Sequence, residues 1–196
     1  LCNDWAANGA LAELLMGIGG CSPYLNNILR QEQEWIAEAI CRHNPLKNII
    51  PRDLGKDPGR TLRKVKRQAA GYLAMAELSG ACSLTETTHL LTNFADAAVA
   101  AAFRSALDPY KASGKISHDF NTFVIAMGKM GANELNYSSD IDLIVMFDDR
   151  NMDQHQISKL RQVLVRVTRA AIKLLNEVTE YGYVFRTDLR LRPDPS

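Results

Sequence analysis

Residues 123–147 read FVIAMGKMGANELNYSSDIDLIVMF, and this stretch decides the fold. It holds two short apolar runs, 123–127 and 141–147, whose length and β-branched residues predict buried strands. Asp140 and Asp142 stand at the head of the second run. Because successive side chains of a strand alternate between its faces, we expect both carboxylates on one face, roughly 6.5 Å apart along the strand.

A third acidic residue lies in a later strand-like segment, YVFRTDLRLRP, at 183–193. Alternation along this segment puts Asp188 on one face with Arg186, Arg190 and Arg192, while the other face is mainly apolar. Neighbouring carboxylates repel one another and are costly beside a buried strand unless a cation lies between them. Oxygen ligands of this kind suit Mg²⁺, which keeps coordination positions open for phosphate oxygens. Asp140, Asp142 and Asp188 are therefore the predicted metal-binding and catalytic residues.

Groups that face phosphate are expected around these three acids. The residues concerned are Gly128, Lys129 and Gly131 in the turn after the first strand, Ser138 and Ser139 before the second, and Arg190 and Arg192. Glycine lets backbone N–H groups approach a nucleotide closely, and arginine binds phosphate bidentately. A second interpretation stays open for each side chain: the serines cap the turn, and the basic residues offset the charge of the acids.

The glycine turn, the Asp-x-Asp strand and the separate Asp strand together resemble the active-site pattern of the DNA polymerase β-like nucleotidyltransferases. A closer resemblance is to the bacterial bifunctional glutamine synthetase adenylyltransferase/adenylyl-removing enzymes. It is carried by the sequences GKMGANELNYSSDIDLIVMFD at 128–148 and VFRTDLRLRPDP at 184–195. Within that family, the two segments look like the N-terminal, adenylyl-removing half. Residues 77–103 and the Ser-Pro-Tyr-Leu run at 22–25 also resemble the family.

The resemblance implies an α+β fold and a specific reaction. A helical N-terminal region, residues 1–114, would precede a nucleotidyltransferase core with a small mixed sheet, residues 115–196, and the core would continue past Ser196. The implied reaction is removal of AMP from an adenylylated tyrosine of glutamine synthetase by inorganic phosphate, giving ADP. Asp140 and Asp142 would hold two Mg²⁺ ions, with Mn²⁺ as an alternative, and Asp188 would help to hold the ion that activates phosphate. A PII signal protein is the implied regulator.

Three other functions remain open at this point. The same acids could serve the forward reaction, adenylyl transfer from ATP to the tyrosine. The chain could instead be another nucleotidyltransferase of the superfamily, although the match outside the catalytic motif argues against this. It could also be a catalytically silent module that binds glutamine synthetase or a PII protein, but the presence of all three acids argues for catalysis.

Bulk properties exclude some classes of protein. A net charge of +1 gives no electrostatic sign of a nucleic-acid partner. No run of residues approaches the roughly 20 apolar positions that a membrane-spanning helix needs. The four cysteines are scattered, without a Cys-x-x-Cys pair, which predicts free thiols in a reducing cytoplasm.

Periodicity and capping signals predict helices around these strands. One helix begins at Ser22-Pro23, and further helices run over about 31–42, 59–78, 84–110 and 153–177. The helix over 59–78 carries a basic run, Arg60, Arg63, Lys64, Lys66 and Arg67. We interpret this run as a solvated helix face, with a phosphate- or partner-binding face as the alternative.

Overall fold

The computed structural model describes residues 9–42, 44–116, 122–150 and 152–189. The helices are α1 (Ala10–Cys21), α2 (Pro23–Gln31), α3 (Gln33–Ile40), α4 (Pro58–Leu78), α5 (Leu84–Ala112), α6 (Gly128–Gly131) and α7 (Gln154–Asn176). The strands are β1 (Thr122–Met127), β2 (Ile141–Phe147) and β3 (Thr187–Asp188). The fold class is α+β, as predicted. In the part of the chain that the structure describes, no helix is long and apolar enough to cross a membrane.

Local capping explains where the longer helices begin. The Ser22 hydroxyl accepts a hydrogen bond from the Leu25 backbone N–H at 3.3 Å, with Pro23 in the first helical turn. Ser83 and Glu86 form a capping box at the start of α5, and Asp153 forms one at the start of α7. A cap of this kind is worth about 1 kcal/mol of helix stability. The predicted helices are confirmed, with ends that differ by a few residues.

The sheet is three-stranded and mixed, in the order β1-β2-β3. Strand β1 runs antiparallel to β2, with Met127 opposite Asp142, and β3 runs parallel to β2, with Asp188 opposite Asp142. The sheet packs one face on α5 and α7, where Ile141 and Leu143 are fully buried. The other face carries Asp142 and Asp188, because residues paired in register point to the same side.

One main core joins the helices to the sheet. It contains Leu62 of α4 and Phe94 of α5 together with Leu143 of β2 and Leu175 of α7. This core therefore draws on both sides of the predicted boundary at residue 114, and the division into two regions remains a prediction. A smaller cluster around Ile28, Ile36 and Met75 packs α2 and α3 on α4.

The interpretation of the basic run on α4 as a solvated face is wrong for two of its arginines. The Arg63 side chain is 4% exposed and pairs with Glu177, whose Oε2 lies 3.1 Å from Nη2. The Arg67 guanidinium binds the buried Glu32 carboxylate at 2.7 Å. A buried or partly buried guanidinium needs such a partner. Glu177 lies 114 residues from Arg63 and Glu32 lies 35 residues from Arg67, so local periodicity cannot show either pairing.

The prediction of free thiols is also wrong at one position. Cys21 and Cys82 are free, whereas Cys41 is disulfide-bonded. Scattered spacing in the sequence does not show which thiols the fold brings together, and this explains the error.

Candidate active site

The site is built where three chain segments meet at one end of the sheet. Strand β1 ends at Met127, β2 begins at Ile141, and β3 ends at Asp188. The pairing of β2 with β3 sets Asp142 directly opposite Asp188, both half-buried, on the face away from the helices. Two of the three predicted acids are therefore neighbours, although 46 positions separate them in the sequence (188 − 142).

The turn after β1 fits closely around the Asp142 carboxylate. Gly128 has φ +56°, a left-handed conformation that favours glycine, and begins the short helix α6. A Cβ built on Gly128 would lie 2.8 Å from Oδ2 of Asp142, and one on Gly131 would lie 2.5 Å from the Ala126 carbonyl oxygen. Both predicted turn glycines thus occupy places where a side chain would clash. Lys129 is exposed in the same turn.

Asp140, the third predicted acid, lies just outside β2 and forms an ion pair with Arg186. Its Oδ1 lies 2.5 Å from Nε of Arg186, and both side chains are more than half exposed. Nη2 of the same guanidinium donates to the Ser138 carbonyl oxygen at 2.9 Å. Arg186 therefore ties the loop before β2 to the segment that leads into β3. Alternation along residues 183–193 predicts that Arg186 shares a face with Asp188, and it does not reveal this pairing with Asp140.

Local hydrogen bonds organise the loop between α6 and β2. The Ser139 hydroxyl donates to Oδ1 of Asn136 at 2.7 Å, and the Ser138 backbone N–H donates to the same oxygen at 3.2 Å. Ser139 thus makes the turn-capping contact that was one of its two interpretations. Leu135 is buried and attaches the loop to α5, since its backbone N–H donates to the Thr92 hydroxyl at 3.2 Å.

Tyr137 and Asp148, which lie near these elements, have shifted pKa values. Burial, reinforced by the adjacent Glu77 carboxylate, raises the pKa of the Tyr137 hydroxyl, which donates to Glu77 at 3.1 Å. At the far end of β2, hydrogen bonds from Arg150 lower the pKa of Asp148 to about 2. Tyr137 therefore remains a neutral donor, and Asp148 remains charged at neutral pH.

The donor chemistry of the site suits a hard divalent cation. Asp142 and Asp188 supply carboxylate oxygens from one face of the sheet, and such oxygens are the ligands that Mg²⁺ prefers. Within the described residues, no three His, Cys, Asp or Glu side chains gather as closely as a complete metal site requires. The Asp140–Arg186 pair explains the difference from the predicted triad, because the third carboxylate binds a guanidinium instead.

The remaining predicted site residues are the groups expected to contact phosphate. Arg190 and Arg192 lie outside the described residues, so their phosphate contacts remain a prediction, as do those of Lys129, Ser138 and Ser139. Sequence reasoning missed Asn176, the last residue of α7, whose side chain bonds to Thr187 beside Asp188. A polar side chain at the end of an amphipathic helix was the available signal, and it is too common to single out one residue.

The comparisons with known proteins agree with one another. The model of the family described as "Glutamate-ammonia ligase adenylyltransferase" matches residues 12–196. A protein of Bradyrhizobium sp. (strain ORS 278), named "Bifunctional glutamine synthetase adenylyltransferase/adenylyl-removing enzyme", is 39% identical over 98% of this chain and 21% of its own length. A protein of the same name from Bartonella quintana (strain Toulouse) is 40% identical over 100% of this chain and 22% of its own length. The chain thus spans about a fifth of the length of these curated relatives.

Proposed function

Because the chain belongs to the glutamate-ammonia ligase adenylyltransferase family, we propose that it carries a nucleotidyltransferase site that removes AMP from glutamine synthetase by phosphorolysis. The observation that supports this most is the register that sets Asp142 opposite Asp188 on the open face of the sheet. The names of the relatives include both adenylyl transfer and adenylyl removal. We choose removal because residues 128–148 and 184–195 resemble the adenylyl-removing half.

In the proposed reaction, an oxygen of inorganic phosphate attacks the phosphorus of the adenylyl group on tyrosine. The bond from that phosphorus to the tyrosine oxygen breaks, ADP forms, and the tyrosine oxygen takes up a proton. Asp142 and Asp188 would hold Mg²⁺, with Mn²⁺ as a substitute and Asp140 as the third ligand. When bound, the divalent cation neutralises phosphoryl charge and lowers the pKa of, or orients, the attacking group.

The residues of the chain contribute mainly positioning and charge. The Gly128 turn would bring its backbone close to the phosphoryl oxygens because no Cβ intervenes. Lys129, exposed in that turn, can act as a point charge toward phosphate. Ser138, Ser139, Arg190 and Arg192 are proposed to complete the phosphate contacts. Positioning and charge neutralisation supply most of the catalysis in phosphoryl transfer.

The test uses glutamine synthetase that carries radiolabelled AMP on its tyrosine, incubated with this chain, Mg²⁺ and inorganic phosphate. We expect label to leave as ADP, in proportion to phosphate and not when phosphate is omitted. A parallel reaction supplies labelled ATP and unmodified glutamine synthetase. Transfer of label to the protein in that reaction, with no release in the first, would assign the forward activity instead. If the chain gives no release in the first reaction and no transfer in the second, the result contradicts the proposed site.

Replacing Arg186 by methionine is expected to strengthen cation binding. The guanidinium places a positive charge 2.5 Å from an oxygen of Asp140, and its removal frees that carboxylate for a divalent ion. An exposed ion pair is worth at most about 1 kcal/mol, so Mn²⁺ affinity should rise about two- to fivefold. The control is Arg150→Met, which removes an exposed guanidinium paired with Asp148 beyond the other end of β2. Equal affinities in the two variants would show that Arg186 does not compete with the ion.

A further inference from the structure

The Asn176 carboxamide forms two hydrogen bonds to the backbone of a single residue, Thr187. Its Oδ1 accepts from the Thr187 N–H at 2.6 Å, and its Nδ2 donates to the Thr187 carbonyl oxygen at 3.3 Å. Asn176 is partly buried at the end of α7, and Thr187 directly precedes Asp188. This paired contact is the one that a neighbouring strand would make.

The contact lies on the outer edge of β3, away from β2. On the inner edge, the Ile141 N–H donates to the Arg186 carbonyl oxygen at 2.8 Å, and β3 continues in register with β2 through Asp188. Because the backbone groups of alternate strand residues point to opposite edges, those of Thr187 point away from β2. Asn176 thus satisfies the donor and the acceptor on that edge.

Strand β3 is short, so each of these contacts matters for its position. It contains Thr187 and Asp188 and pairs with β2 at two positions. The segment before it is held independently, since the Leu175 carbonyl oxygen accepts from the N–H groups of buried Val184 and Phe185 at 3.0 and 3.1 Å. Asn176 therefore binds both backbone groups of the residue immediately before Asp188, in addition to the contact of the Thr187 hydroxyl with the Phe185 carbonyl oxygen at 3.4 Å.

We propose that Asn176 is a positioning residue for Asp188: by bonding both backbone groups of Thr187, it holds the Asp188 carboxylate opposite Asp142. This inference rests on the proposed function, because it assigns to Asn176 the geometry of one half of the cation site. Asn176 would influence the reaction by placing the metal ligand Asp188 and would not itself contact the substrate. Residues that orient metal ligands typically change metal affinity or activity by about 10- to 100-fold.

Asparagine meets both requirements of this position, a donor and an acceptor on a short side chain. Asn176→Leu keeps approximate size and removes both hydrogen bonds. Asn176→Asp keeps the acceptor for the 2.6 Å bond from the Thr187 N–H and loses the donor to its carbonyl oxygen. The matched control is Val163→Ala, which opens a cavity on the buried side of the same helix, far from β3.

The experiment compares the wild-type chain with these variants by amide hydrogen exchange without metal and by Mn²⁺ titration. In Asn176→Leu, we expect exchange at the Thr187 amide to speed up about tenfold or more and Mn²⁺ to bind about tenfold more weakly. Asn176→Asp should exchange at an intermediate rate. The two variants are compared at temperatures equally far below their own unfolding midpoints. Under these conditions, Val163→Ala should keep the wild-type exchange rate at Thr187 and the wild-type Mn²⁺ affinity.

Equal Mn²⁺ affinity in Asn176→Leu and Val163→Ala, compared in this way, would overturn the inference and leave the proposed function standing. If the Thr187 amide of Asn176→Leu exchanges at the same rate as in the wild-type chain, the inference is overturned as well. If the wild-type chain binds no Mn²⁺, the proposed metal site fails. The exchange data then still decide whether Asn176 holds the backbone beside Asp188.

Discussion

Asp142→Asn is expected to lower phosphate-dependent release of ADP by a factor on the order of 10³ or more, since a neutral amide cannot replace a carboxylate that holds the cation. The same substitution should leave the fold intact and its thermal stability equal or slightly higher. Asp142 lies opposite Asp188, and without a cation the two negative charges repel each other. Loss of activity without loss of stability is the signature of a functional carboxylate.

The measurement for Asp142→Asn is the labelled-AMP assay, paired with a thermal unfolding curve for each variant. Asp188→Asn should behave in the same way as Asp142→Asn. The control is Asp149→Asn, which neutralises an exposed carboxylate beyond the other end of β2. A folded Asp142→Asn protein that turns over at the wild-type rate would remove this residue from the site.

Gly128→Ala is expected to reduce activity at least about tenfold and to destabilise the fold by about 1–2 kcal/mol. Two physical causes act together at this position. The residue has φ +56°, where any Cβ is strained, and the new methyl group would lie 2.8 Å from Oδ2 of Asp142. The carboxylate must then move by several tenths of an ångström, which is enough to disturb a site that requires placement within about 0.5 Å.

Gly114→Ala separates these two causes. Gly114 also has a left-handed conformation, with φ +67°, but a Cβ there would meet nothing within 4 Å. We expect a similar backbone penalty and unchanged activity. Thermal unfolding and the labelled-AMP assay on both variants provide the comparison, and equal activities would mean that the Gly128 turn does not constrain Asp142.

Much of the scaffold could be predicted from the sequence because its signals are local. The apolar runs at 123–127 and 141–147 became β1 and β2, and Ser22 and Ser83 cap helices as their types suggest. Asp140, Asp142 and Asp188 could be selected as candidates because each acid lies in or directly before a strand-like segment, whereas the pairing of Asp142 with Asp188 comes from the sheet register. Periodicity and capping depend on residues within a few positions of each other, which a single sequence displays directly.

The remaining features depend on contacts between distant parts of the chain. Arg186 pairs with Asp140, although alternation along residues 183–193 predicts only that it shares a face with Asp188. The Arg67 guanidinium is only 16% exposed and binds Glu32, which is 35 positions away in the sequence. Asn176 contacts Thr187 only because α7 ends beside that residue. Propensity and pattern carry no information on such pairings, which tertiary packing decides.

The central claim is that Asp142 and Asp188 together hold the divalent cation of a transfer site. The most direct test is a Mn²⁺ titration, followed by electron paramagnetic resonance, of the wild-type chain and of Asp142→Asn, Asp188→Asn and Asp149→Asn. The account predicts that the wild-type and Asp149→Asn proteins bind with equal affinity, and that each of the other two variants loses binding. Equal Mn²⁺ affinity in all four proteins would contradict it.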